Sequence, residues 1–409
     1  MNPERLILFT RFPVAGKSKT RLIPALGEEG AAAFQRRMTE HTVLQAQQSG
    51  AQVEIRYTGG TEEEMQAWLG VGLQYAEQGA GDLGERMARA FQDHFDSGAE
   101  RVVVIGCDCP SNHWKNIRNS FVHLKASDCV IGPAHDGGYY LIGLSRPMPR
   151  LFHRVDWGSA RVLEQTLSLA PKQTVLLDTL HDVDLPEDLP AKISVVIPAL
   201  NEEAHLPRTL KSVRQGFHVE AVVVDGGSSD GTKQLFPDAP VCREGRACQQ
   251  NLGAEKTNGE LLLFLHADTE LPDGWDGQIR ETLADDSVAL GAFSFQVREN
   301  FPGRKCIEET ANWRSRVWKL PYGDQGLFMR RSVFERLGGF PAQPIMEDYA
   351  FVCAARKLGR VVTRPEAAVT SGRRWLHHGV WKVTWVNKLM ILGYHLRIPP
   401  ARLAAFYRH

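Results

Sequence analysis

Short unbroken apolar runs recur along this chain, and several end directly in an acid. Leu261 to Leu265 (LLLFL) predicts a strand buried on both faces, after which His266-Ala267-Asp268 brings the chain out at a sheet edge. Arg101 to Gly106 (RVVVIG) does the same into Cys107-Asp108-Cys109-Pro110, and Val219 to Val224 into Asp225. Leu6 to Thr10, residues 129–132 and Ile193 to Ile197 read as further buried strands. Between them lie helical patterns over 28–48, near 61–69 and from the Gly-rich turn at 81–91. After Ile193 to Ile197, PALNEEAHLPRTLKSV predicts a helix of about 14 residues, with Asn201 as N-cap and Glu202 and Glu203 in the first turn. Strands alternating with helices predict α/β architecture with mostly parallel sheets. The pattern starts twice, on either side of a short linker holding Pro186 and Pro190. The expected organisation is therefore a domain at 1–190, a second at 192–375, and a tail at 376–409.

Composition supports that division. A chain of 409 residues exceeds one typical core, and 43% hydrophobic with 23% charged residues is ordinary for a globular protein. Formal net charge is zero, but residues 1–191 carry 19 Lys and Arg against 24 Asp and Glu, and the remainder 29 against 24. Neither half has the basic, aromatic-interleaved stripe of a nucleic-acid binder, so no nucleic-acid partner is expected. Seven Cys at irregular spacing do not read as a disulfide framework; Cys107 and Cys109 read as buried thiols. Glu4 and Arg5 lead straight into the first strand, unlike a signal peptide, and no stretch reaches 18 uncharged apolar residues. The expected location is cytoplasmic.

Ligands of open α/β sheets collect beyond the carboxyl ends of the strands. An acid delivered there can hold a metal that grips a phosphate, or simply form the turn; taken alone, Asp268 and Asp225 read either way. The loop after the first strand, RFPVAGKSKTRL, gathers Arg11, Lys17, Lys19 and Arg21 around Gly16. Gly and Lys beside a strand end suit a phosphate, although a solvated loop has the same composition. A Walker A loop is excluded, because Arg11 stands where its first Gly is needed.

FPVAGKSKTRL, DLGERM, GCDCP, GPAHDGGYYLIG and DVDLPEDL together resemble a family of nucleotidyltransferase- and glycosyltransferase-like proteins related to molybdenum-cofactor and phospholactate guanylyltransferases. The resemblance spans nearly all of 1–190 and implies a nucleotide-binding α/β fold, with Lys19 and Arg21 as phosphate ligands and Asp108 as a metal ligand. The chain departs from the family at SNHWKN, where polar Asn112 and His113 replace an apolar residue and a helix start.

In the second half, VVIPALNEE at 195–203, VVVDGGSSDGT at 222–232, GRACQQNLGA at 245–254, LLLFLHADTELP, YGDQGLFMRR at 322–331 and MEDYAF at 346–351 occur in the order found in inverting family 2 glycosyltransferases of the GT-A fold. The branch it resembles most is associated with radical-SAM neighbours and arsenosugar biosynthesis. The resemblance implies two tandem GT-A-like (nucleotide-diphospho-sugar transferase, Rossmann-like) domains. It places Pro198, Asn201, Glu202, Asp225, Arg246, Asn251 and Asp268 on the nucleotide-sugar donor, with Asp225 near the base and Asp268 on a divalent cation, Mg²⁺ or Mn²⁺. Asp324 and Gln325 would stand beside the acceptor, and within the Glu347-Asp348 pair Asp348 would be the general base. Ser371 replaces the leading Gln or Arg of an Arg-Trp motif, so only Arg374 and Trp375 carry over to the acceptor side.

Transfer with inversion needs a carboxylate to take the acceptor hydroxyl's proton and positive charge to meet the leaving diphosphate. The acceptor is expected to be a small molecule or a lipid. After Glu366 no acid occurs, while about seven Lys and Arg lie among aromatics. Gly379 to Arg397 reads as a peripheral membrane contact or as an apolar helix docked on the domain. Two other functions fit the same motifs: a nucleotidyltransferase fused to a glycosyltransferase, and a binding or scaffold protein that has kept the folds without chemistry.

Overall fold

The computed structural model describes residues 3–407, and the chain divides into two compact units between Leu189 and Pro190. In the first, strands β1 (Glu4–Arg11), β2 (Gln52–Thr58), β3 (Gln74–Glu77), β4 (Arg101–Gly106), β5 (Cys129–Pro133), β6 (Tyr139–Leu144) and β7 (Val175–Leu176) form one sheet. Its order is β3-β2-β1-β4-β6-β5-β7, and only β6 runs antiparallel to its neighbours. The second unit holds β8 (Ile193–Ala199), β9 (Val219–Asp225), β10 (Leu261–Phe264), β11 (Thr269–Glu270), β12 (Val288–Val297), β13 (Leu327–Arg330) and β14 (Arg360–Thr370), in the order β11-β14-β12-β13-β10-β8-β9. Here β13 runs antiparallel to both β10 and β12.

Read from β9, the second sheet repeats the first. β8 corresponds to β1, β10 to β4, the antiparallel β13 to β6, and β12 to β5. Asp108 and Asp268 therefore follow equivalent strands, and the turns holding Asp136 and Asp324 precede equivalent antiparallel ones. The two units are mixed α/β sheets of mostly parallel strands, as the alternation of elements predicted.

All seven residues of β8 and all four of β10 are buried, which is why both runs lack polar alternation. Helix Arg246–Glu255 lies against them at glycine distance: a Cβ on Gly253 would come 2.3 Å from a methyl of Val196. Small residues thus bring the helix close to the sheet and aim its N-terminal end at the strand ends. Helix Leu206–Val213 is shorter than expected and starts late. Asn201 does not cap it; that residue sits at φ 57°, and Pro207, favourable only in a first turn, marks where the helix begins. The tail forms helices Arg373–His378, Val380–His395 and Pro400–Tyr407, docked on the second unit through buried Val383 and Met390 and through Tyr349, whose hydroxyl lies 2.7 Å from His395 Nε2.

Trp275 is fully buried, its indole N–H donating to the Ser212 carbonyl at 3.1 Å and its ring packed where a Cβ on Gly216 would lie at 2.5 Å. Trp275→Ala should lower the stability of the second unit by about 3–5 kcal/mol, measured by chemical denaturation; an unchanged midpoint would contradict this packing.

Candidate active site

Beyond the carboxyl ends of β8 and β10 lies a cavity of about 620 Å³, a size suited to a small ligand. Pro198, next to the last residue of buried β8, lines it. Below β10, the Leu265 N–H still donates to Val196 O, and the Thr209 hydroxyl then holds the Ala267 carbonyl at 2.8 Å. That anchored turn points His266 and Asp268 into the cavity. Asp268 accepts from the Thr370 hydroxyl at 3.4 Å and pairs with Arg373 at 3.3 Å. The same guanidinium binds both carboxylate oxygens of Glu202, one of them at 2.9 Å. Arg373 is thus the cation between two acids from different strands. Its hydrogen bonds to Glu202 outweigh burial and hold its pKa above the ordinary value.

On the opposite wall, helix Glu347–Ala355 opens after Met346, a non-glycine residue at φ 66°. Asp348 accepts from the Gly323 N–H at 2.8 Å and, through its other oxygen, from the Tyr349 N–H at 2.7 Å. Glu347 is buried, with Arg246 Nη1 3.7 Å from its carboxylate. Burial and then the neighbouring Asp348 raise the Glu347 pKa, against the pull of Arg246. Asp324 is pushed up to about 6 by burial, with Asp348 and Asp268 adding to the shift and Arg314 opposing it. Its Oδ1 has no hydrogen-bond partner among the described residues.

His266 completes this group. Burial, then Arg246 and Arg373, hold its pKa well below 6.5, so the ring is neutral, and its Nε2 also lacks a partner. A Cβ on Gly323 would lie 2.8 Å from that nitrogen and 3.2 Å from Asp348 Oδ2. Gly323 therefore lets the imidazole and the carboxylate approach one another. Nothing in the sequence pointed to Arg373 or Gly323, because each acts through a partner distant in the chain.

Four expected site residues are placed elsewhere. Asp225 is buried, its carboxylate accepting from the Gly227 N–H and from the N–H and hydroxyl of Ser228; it builds the turn and does not line the cavity. Asn201 accepts from the Ser229 N–H at 2.8 Å. Asn251 brackets the backbone of Phe340, donating to its carbonyl and accepting from its N–H. Gln325 is fully buried, donating to Phe293 O at 2.8 Å and accepting from the Tyr322 N–H at 3.1 Å. These amides join backbone segments rather than face a ligand. Arg374 and Trp375 do line the cavity, with Arg374 4.3 Å over the Tyr407 ring and Trp375 edge-on to Phe295. Cys242 and Cys248 form a single disulfide, not singled out from the sequence, closing the loop that carries Arg243 into Arg246. Irregular spacing along the chain could not show that a turn and a helix start bring the two sulfurs together.

In the first unit, Lys19 Nζ lies 2.8 Å from Asp108 and 2.7 Å from Asp184, and also donates to Val183 O at 2.7 Å. Burial opposes its charge, yet the two carboxylates win and hold its pKa well above the ordinary lysine value. Arg21 is exposed and reaches Asp184 at 3.5 Å. His113, unexpected at a helix start, is the N-cap of helix Trp114–His123 through its ring nitrogen, which accepts from the Lys115 N–H. Cys107 and Cys109 are buried thiols, as expected, and burial raises the pKa of both.

Comparison with known proteins follows the same division. Residues 194–338 match the family described as glycosyl transferase family 2. The second unit carries a family 2 glycosyltransferase domain. Residues 42–159 match DUF2064, described as an uncharacterised protein conserved in bacteria. The glycosyltransferase domain has a relative in Staphylococcus haemolyticus, 4,4'-diaponeurosporenoate glycosyltransferase, 38% identical over 92 residues that make up 19% of this chain and 24% of that protein. Undecaprenyl-phosphate 4-deoxy-4-formamido-L-arabinose transferase of Aeromonas hydrophila is 32% identical over 97 residues, 20% of this chain and 30% of that one. A putative nucleotide-diphospho-sugar transferase of Desulfovibrio desulfuricans G20 shares 34% identity, covering 45% of this chain and 84% of that one, with a TM-score of 0.44. The chain spans from about a quarter to just over half the length of the first curated relatives it matches.

The acid cluster has a pH signature. Because the Asp324 carboxyl has its pKa raised from 3.8 to about 6 on folding, the folded protein holds a proton that the unfolded chain has released. Stability should therefore fall as pH rises through that window. Asp324→Asn should flatten this loss in Tm between pH 4 and pH 6; an identical pH profile for the two proteins would refute the shift.

Proposed function

We propose that the glycosyltransferase domain transfers a sugar, with inversion, from a nucleotide-diphosphate donor to an acceptor hydroxyl. The observation that carries this reading is the meeting of Asp268, Asp324 and Asp348 in one cavity where three buried polar atoms, on His266, Tyr322 and Asp324, have no partner among the described residues. Asp348 is the base. Its carboxylate is oriented by the Gly323 N–H, and it takes the hydroxyl proton as the acceptor oxygen attacks the anomeric carbon. The bond from that carbon to the diphosphate oxygen breaks, and charge grows on the leaving group. Arg246 and Arg373 stand on the cavity wall to receive it.

A divalent cation suits the same place. Asp268 offers a hard oxygen ligand, and Asp324 Oδ1 is a second oxygen without a partner. Among the described residues no three His, Cys, Asp or Glu side chains stand together as a metal cluster, so Asp268 would hold Mg²⁺ or Mn²⁺ in company with diphosphate oxygens. When bound, the cation would neutralise the leaving diphosphate. Arg373 now holds Asp268 and would turn toward the diphosphate as the donor arrives.

The acceptor is a small molecule or a lipid, delivered on the side closed by residues 376–407, within the segment read as a peripheral membrane contact. The relative named for undecaprenyl phosphate supports a lipid. Asp348→Asn should lower kcat by about 100-fold or more while nucleotide binding by calorimetry persists, and Asp268→Ala should abolish binding of UDP with Mn²⁺. Full turnover of sugar nucleotides in both variants would sink the reading.

The first unit supports a second nucleotide site, because Asp108 follows the strand equivalent to β10 and Lys19 stands beside it. If that unit supplies the donor, the full chain should release pyrophosphate from a nucleoside triphosphate and a sugar phosphate, and Lys19→Ala should stop this while Asp268→Ala should not. No release across a broad panel would leave the first unit as a binding domain.

A further inference from the structure

Helix Val380–His395 carries two unlike faces. At about 100° per residue, Trp381, Trp385, Lys388, Leu389 and Leu392 fall within about 100° of arc. All are exposed, Trp381 by 75% and Trp385 by 63%. On the other side Val383 and Met390 are buried, and Asn387, Met390 and Ile391 line the cavity. Leu396 and Ile398 continue the exposed apolar surface beyond the helix. Two Trp and several aliphatic side chains facing water on one helix form a patch that calls for a covering partner.

Charge and length say which. No Asp or Glu follows Glu366, whereas Lys382, Lys388, Arg397 and Arg402 are exposed around the patch. A protein partner of ordinary surface would offer both signs of charge; an anionic bilayer offers one. Indole rings with lysines at their edge suit the headgroup layer, and Lys388 Nζ already lies 5.9 Å from the Trp385 ring centroid. At 16 residues the helix is too short to span, and no described helix is long and apolar enough to cross a membrane.

We infer that this face binds an anionic lipid bilayer, with the helix lying in the plane of the headgroups. The inner face of the same helix forms a wall of the cavity, so the bound protein holds that wall about one helix diameter, roughly 10 Å, from the lipid. A lipid acceptor would then have to carry its hydroxyl on a headgroup that extends about that far from the bilayer to reach Asp348. This last step rests on the proposed glycosyl transfer; the surface itself does not.

Flotation of the full chain with phosphatidylcholine vesicles, with and without phosphatidylglycerol, tests it. The protein should float with the anionic vesicles and be released by high salt. Trp381→Glu with Trp385→Glu should lower partitioning by about tenfold or more, with the Tm and the binding of UDP with Mn²⁺ unchanged. Lys382→Glu with Lys388→Glu, which leaves every apolar side chain in place, should weaken binding in the same direction and guards against misfolding of the first variant. Failure of the wild type to float, or flotation of both double variants equal to that of the wild type, would overturn the inference. So would a wild-type dimer that the tryptophan variant converts to monomer, since the face would then belong to a second copy. Vesicle binding without nucleotide binding would keep the surface and remove the transfer reading; the converse would do the opposite.

Discussion

Five carboxylates share one cavity of the glycosyltransferase domain: Glu202, Asp268, Asp324, Glu347 and Asp348. Like charges gathered out of bulk water repel one another, and the pKa values register the cost, with Asp324 and Glu347 both pushed toward their neutral forms. What makes the arrangement tolerable is a matching set of guanidinium groups. Arg373 joins Glu202 to Asp268, Arg246 faces Glu347, and Arg314 lies 3.3 Å over the Tyr322 ring beside Asp324. Arg243 and Arg374 line the same cavity, so acid and base nearly balance there.

The surrounding fold serves this balance. The acids come from four separate parts of the sheet and its helices, and hydrogen bonds to backbone groups position three of the segments that carry them. Thr209 anchors the turn before Asp268, Gly323 orients Asp348, and the bracket made by Gln325 fixes the loop that carries Asp324. Asn251 and Asp225 belong to the same class of support. They stand next to the site along the chain and in space, and their polar atoms are spent on backbone groups that would otherwise be buried and unpaired.

The shared topology of the two sheets gives the chain two equivalent places for an acid, yet the electrostatic settings differ. At Asp268 the partner is an exposed arginine that also binds Glu202. At Asp108 it is a buried lysine held by a second carboxylate and a carbonyl.

Buried strands were legible in the sequence because a strand covered on both faces has no polar alternation. The residues that end those runs, Asp108, Asp225 and Asp268, could be named for the same reason, whereas Glu347 and Asp348 were named through the resemblance carried by MEDYAF. The direction in which a polar side chain points was not legible. Asn201, Asn251 and Gln325 have the composition of ligand-binding residues, but an amide satisfies backbone and ligand equally well, and only the packed chain shows which groups lie within reach. Arg373 and Gly323 were invisible for a related reason: their partners, Glu202, Asp268, His266 and Asp348, lie far away in sequence. Local hydrophobic pattern determined the strands and the acids at their ends; long-range contact decided which of those acids meet, and which cations face them.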